Sequence, residues 1–142
     1  MMRLGLLGTM LLAVSAFAEP EVGSFYEVST HGSSTSLKAG ETGKMVLSIK
    51  AKNGAHVSDE APLRVELTSK QSKLGKDKLT LADAVNAKKP GDTEYADPRF
   101  EVPFTPTAQG PTSVEAKMTF FICTEKLCSR QTKQLSLNVD VM

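Results

Sequence analysis

The chain has 142 residues, with 17 Lys and Arg against 16 Asp and Glu, a formal net charge of +1, 6% aromatic residues and no tryptophan. Charges of both signs are interspersed and no basic block occurs, which excludes an electrostatic nucleic-acid binder or a polybasic membrane-surface protein. The thin aromatic content also speaks against a carbohydrate-binding face.

Met1 to Ala18 has the three parts of a secretory signal peptide. Arg3 is the positive region, Leu4 to Val14 the short apolar core, and Ala16-Phe17-Ala18 the small-x-small cleavage pattern. The apolar run falls short of the roughly 20 residues a membrane helix needs, and no other segment approaches that length. Residues 1–18 are therefore expected to be removed, and the mature chain to begin at Glu19 and be exported without membrane insertion. For a Gram-negative source that means the periplasm. One domain is expected over residues 37–142, long enough to bury a core.

Residues 19–36 are polar and rich in Ser, Thr and Gly, and read as a flexible lead with a short strand around Phe25 to Val28. Lys44 to Ala51 alternates, with Met45, Leu47 and Ile49 on one face, as in a half-buried strand. Asn53-Gly54 is a turn signal, and Leu63 to Thr68 repeats the alternation at 63, 65 and 67. Leu79 to Lys88 reads as a short helix or an ordered loop, with Thr80 to Asp83 resembling an N-terminal cap. Phe100 to Phe104 is a strand that Pro103 assigns to an edge or a bulge. Val114 to Cys123 and Ser129 to Val141 are the longest strand candidates, the second alternating at Leu135, Leu137, Val139 and Val141. Many short strands between Gly, Pro and Asn turns predict an all-β, antiparallel β-sandwich.

The only cysteines, Cys123 and Cys128, flank four residues in a predicted hairpin. In an exported chain they are expected to be oxidised to a disulfide. Closing so small a ring is worth only about 2 kcal/mol in the chain-entropy estimate, and the hairpin already holds the two strands together. On spacing alone, an inert staple and a working redox pair both remain open. Lys126 or Arg130 could favour a thiolate if close to a sulfur, and Glu125 would oppose it. The same three charges also suit a solvated hairpin tip.

His31 and His56 are the only histidines, with no ligand spacing and no Cys-His-Met clustering, so no metal and no cofactor is expected. His56 reads as a turn or strand-edge residue and His31 as solvated. Gly-x-Ser-x-Gly, His-Glu-x-x-His and phosphate-cradling glycine motifs are absent from the sequence, which disfavours a hydrolase or nucleotide enzyme.

Phe120-Phe121-Ile122-Cys123-Thr124-Glu125-Lys126-Leu127-Cys128 resembles the cysteine hairpin of the N-terminal periplasmic domain of the thiol:disulfide interchange protein DsbD and its stand-alone relatives. Gly54-Ala55-His56-Val57 followed by Ala61 to Leu67, and Asp97 to Phe104, resemble further stretches of that family in the same order. The resemblance covers about residues 37–141 and implies an immunoglobulin-like sandwich. It further implies that Cys123 and Cys128 cycle between dithiol and disulfide as the catalytic pair, through mixed disulfides. The implied partners are proteins: a separate membrane electron carrier as donor and periplasmic thioredoxin-like proteins. The family shields its pair with an aromatic-bearing cap loop, for which residues 88–97 with Tyr95 are the candidate. Ser129-Arg130-Gln131 stand where family members carry an apolar residue and prolines, so this hairpin is more polar. The alternative from another class is a non-enzymatic sandwich that binds a protein partner and carries an inert disulfide.

Overall fold

A computed structural model of the protein describes residues 25–87 and 97–142. The expected signal peptide, the start of the lead and the cap-loop candidate up to residue 96 lie outside the described residues.

The described chain forms β1 (Tyr26–Ser29), β2 (Ser36–Leu37), β3 (Gly43–Ala51), β4 (His56–Val57), β5 (Arg64–Thr68), β6 (Ser72–Leu74), β7 (Lys78–Thr80), β8 (Arg99–Pro106), β9 (Gly110–Cys123) and β10 (Cys128–Val141). One sheet runs β1-β3-β8-β6; the other runs β2-β10-β9-β5-β7, with β4 also paired to β9. Every pairing is antiparallel except that of β2 with β10. The fold is an all-β sandwich.

Period-2 alternation places the core. Met45, Leu47 and Ile49 of β3 and Phe100, Val102 and Phe104 of β8 line one inner face. Val65 and Leu67 of β5, and Val114, Ala116, Met118, Phe120 and Ile122 of β9, line the other. Burying these side chains between two sheets supplies the dominant stabilisation of such a layer pair. On β10 the pattern is buried at Leu137, Val139 and Val141, half-buried at Leu135, and polar at the inward positions Lys133, Gln131 and Ser129. The half of β10 nearest Cys128 therefore lies at the sandwich's open side. Tyr26 of β1 closes that side: its ring meets Phe120 edge-on at 5.2 Å, and its hydroxyl donates to Gln131 Oε1 at 2.8 Å. The polar atom of a buried tyrosine is thereby satisfied.

One expectation is corrected and two are sharpened. The polar lead carries the expected short strand and makes further bonds to β3 beyond it. Tyr26 to Ser29 pairs with β3, Ser33 Oγ accepts from the Val46 N–H at 2.8 Å, and the Ser34 N–H donates to the Lys44 carbonyl at 2.8 Å. The serines continue the bonding along the outer side of β3 while remaining a loop. Pro103 sits on β8, which is interior to its sheet rather than at an edge. The Pro103 carbonyl accepts from the Gly75 N–H at 2.8 Å. Because both polar groups of an antiparallel residue point to one side, the missing N–H also faces Gly75, just past the last paired residue of β6. Of the two alternatives for residues 79–88, the described residues take the ordered loop: Leu79 and Thr80 end β7, and Leu81–Asp83 forms one 3-10 turn with the expected cap at Thr80 and Asp83. Asp83 accepts from the Thr80 N–H at 2.8 Å and pairs with Lys76 at 2.5 Å. Hydrogen bonding from Lys76, and then from the Thr80 backbone, holds the Asp83 carboxyl below the ordinary aspartate value.

A methyl group at Gly75 would stand 2.6 Å from Pro103 Cγ, a rigid ring atom that cannot swing away. Gly75→Ala is expected to cost about 1–3 kcal/mol, measured by urea unfolding against wild type. The lowered pKa of Asp83 has a definite sign: its contribution is present above the unfolded pKa and lost as pH falls through the folded one. An NMR titration should find Asp83 below an unstructured aspartate, and Lys76→Met should raise it.

Candidate functional site

The site is the tip of the β9–β10 hairpin. Residues 124–127 connect the strands, with the Thr124 N–H donating to the Leu127 carbonyl at 2.8 Å. The Thr124 side-chain oxygen accepts from the Lys126 and Leu127 N–H groups, at 3.3 Å each. This closure brings Cys123 directly opposite Cys128, and the two are joined by a disulfide with Cα atoms 4.0 Å apart. The separation marks a narrow, non-hydrogen-bonded pair of the ladder, the position where facing side chains come closest.

The two sulfur-bearing residues differ in environment. Cys123 is 4% exposed, whereas Cys128 is exposed. Beside Cys128 at the tip, Leu127 is 55% exposed, one of few large apolar side chains so open to solvent among the described residues. Both cysteines project from the outer face of their sheet, since the alternate residues Phe120 and Ile122 point into the core.

On its other side Cys123 pairs with His56 of β4, so His56, Cys123 and Cys128 form one row across three strands. His56 reaches this row through a tight turn. Asn53 and Gly54 both have positive φ, 54° and 78°, and the Ala55 N–H closes the turn on the Lys52 carbonyl at 3.0 Å. That is the backbone an Asn-Gly pair favours. After β4, the Ser58 N–H donates to the Phe121 carbonyl at 2.9 Å, and Ser58 Oγ accepts from the Ala61 N–H at 3.1 Å. These bonds latch the segment onto β9. The next row carries half-buried Phe121 opposite exposed Arg130. With Arg64, Lys117 and Thr119 they border a depression of about 240 Å³ on the outer face.

The structure thus brings together Cys123 and Cys128, with Arg130 on the same face two residues beyond, and Glu125 and Lys126 exposed at the tip. It adds His56, a strand-edge residue as expected after Gly54, whose register beside Cys123 the sequence does not display. The Asn-Gly turn was the available signal, but a two-residue strand carries no periodicity from which its register can be read. His31 stands in an exposed turn after β1, its N–H donating to Ser29 Oγ at 2.9 Å, and does not join His56. Among the described residues no group of three or more His, Cys, Asp or Glu side chains gathers where one ion could be held. The carboxyls of Glu27 and Asp83 are held below the ordinary range by Lys52 and Lys76 respectively, and neither belongs to this row.

No protein-family model matches the chain. No curated protein matches it either. Among solved structures, it is similar to the crystal structure of the S-layer protein SbsC domains 4 and 5, with a TM-score of 0.45 and 13% identity. That alignment covers 82% of this chain, which spans about half, 51%, of the other.

The asymmetry of the pair predicts an order of reaction. After reduction, iodoacetamide should alkylate Cys128 well before Cys123, as peptide mapping at short times would show. Equal labelling would mean that burial of Cys123 does not survive reduction. Replacing both cysteines by Ala should cost about 2 kcal/mol or less of stability in urea, because the bond closes a short loop.

Proposed function

We propose that the protein is an exported thiol:disulfide exchange module in which Cys123 and Cys128 pass electron pairs between a membrane-embedded reductant and acceptor proteins outside the cytoplasm. The carrying observation is the one-sided exposure of the bond: Cys128 is open to an incoming thiolate and Cys123 is buried behind it. Three further points support this reading. The bond joins strands already paired along their length, so it has little stapling to do. The cysteine hairpin resembles that of the DsbD N-terminal domain. The first 18 residues have the pattern of a cleavable export signal.

The exchange balances as two electrons. A donor thiolate attacks Cys128 Sγ, a mixed disulfide forms, and Cys123 leaves as a thiolate that takes up a proton. A second donor thiol resolves the mixed disulfide, leaving both cysteines reduced and the donor oxidised. In the other half-cycle the Cys128 thiolate attacks an acceptor disulfide. Cys123 then attacks Cys128, the acceptor departs as a dithiol, and the intramolecular bond is restored. The buried cysteine resolves and the exposed one makes contact.

Cys123→Ser leaves Cys128 free and is expected to trap mixed disulfides with partner proteins, seen as reducible adducts by mass spectrometry. Cys128→Ser should trap few. The reduction potential measured against glutathione is expected to lie above the roughly −300 mV below which structural disulfides resist that pool. A potential well below this, with no adduct from either variant, would leave an inert disulfide on a protein-binding sandwich.

A further inference from the structure

One of the two longest strands of the second sheet, β10, carries an open backbone edge that starts at the exposed cysteine. On its outer side β10 is paired with β2 only at Asp140 and Val141. From Cys128 to Asn138 no strand lies there among the described residues.

Which backbone groups face that edge follows from the ladder. Cys128 is in a narrow pair with Cys123, so its own N–H and C=O turn away from β9, and every second residue along the strand does the same. Two observations agree on this parity. The Asp140 N–H donates outward to the Thr35 carbonyl at 2.9 Å, and the Met142 N–H to the Leu37 carbonyl at 2.8 Å. The Arg130 carbonyl takes the Gln131 side-chain amide as its donor at 3.0 Å. Arg130, Thr132, Gln134, Ser136 and Asn138 therefore present a regular row of outward donors and acceptors.

Between Cys128 and Asn138 the charges that β10 itself carries have one sign, Arg130 and Lys133, while Glu125 and Lys126 stand together at the tip. Lys126, Arg130 and Lys133 are exposed, and none forms an ion pair among the described residues. From residue 126 to 139 the chain contains no carboxylate. A second copy added antiparallel along the whole edge would set Lys133 against its own counterpart, which is unfavourable across paired strands. An extended segment carrying carboxylates meets the opposite situation.

The geometry points to β10 as the docking edge for an acidic, extended segment of the exchange partner, which adds to the sheet as a further strand. The exposed Cys128 and Leu127 stand at one end of this edge, so a cysteine at the matching end of the segment arrives at the sulfur open to attack. The thiol on that segment rests on the exchange reading; the strand addition does not.

The test uses the oxidised wild-type protein, labelled with ¹⁵N, and a cysteine-free peptide of about ten residues, alternating Glu with Val, the length and form suited to strand addition. Amide shifts and slowed hydrogen exchange are expected along residues 130–138. Methylating the peptide's alternate backbone nitrogens, or replacing its Glu by Lys, should weaken binding at least about ten-fold. Shifts centred elsewhere, or equal binding by the methylated peptide, would overturn the docking edge. The same peptides with a terminal cysteine separate the two readings. Adducts at Cys128 formed equally fast by the Glu and Lys versions would sink the edge and keep the exchange. Strand addition with no adduct would keep the edge and sink the exchange.

Discussion

The register of β9 against β10 is the constraint on which the rest of the molecule depends. Fourteen residues of each strand run side by side from Cys123–Cys128 at one end to Gly110–Val141 at the other. A slip by one residue would turn Phe120 and Met118 outward and bring charged Lys117 into the core. The apolar row of β9 thus specifies the ladder, and the ladder in turn specifies which face holds the cysteines. The same parity decides which amides of β10 face solvent. One choice of register sets core, disulfide and edge together.

The two ends of this ladder are stabilised differently. Toward Val141 the inward residues of β10 are buried and β2 lies along its outer side. Toward Cys128 they are polar, and a single tyrosine spans the gap to the facing sheet. Tyr26 combines ring contact with Phe120, a hydrogen bond to Gln131 and the Lys133 ammonium 5.7 Å from its ring centre. Such amphipathic bridging suits a boundary between core and water. The chemistry-bearing end of the hairpin is consequently the less apolar one.

The alternating strands and the Asn-Gly turn were legible because their signal is local: period-2 hydrophobicity at Met45 to Ile49, at Leu63 to Leu67 and at Leu135 to Val141 needs no knowledge of neighbours. The pairing of the cysteines was legible for the same reason, being confined to one hairpin. What could not be read depends on partners far along the chain. Ser33 and Ser34 are loop residues as their composition suggests, but their bonds to β3 depend on a partner the sequence does not display. Pro103 looked like an edge residue because the end of β6, beside which its missing N–H is harmless, cannot be located from composition. His56 was legible as a turn or strand-edge residue, but not as the neighbour of Cys123, which only the register of β4 on β9 sets.

The bond between Tyr26 and Gln131 joins residues 105 positions apart, whereas the two cysteines are separated by five. Contacts of such different range form at different times during folding: a hairpin closes locally, and a sandwich edge waits for the ends of the chain to meet. The disulfide can therefore be made in a chain whose sheets have not yet assembled. A disulfide closed over five residues of sequence thus carries little information about the contacts that join the ends of the chain.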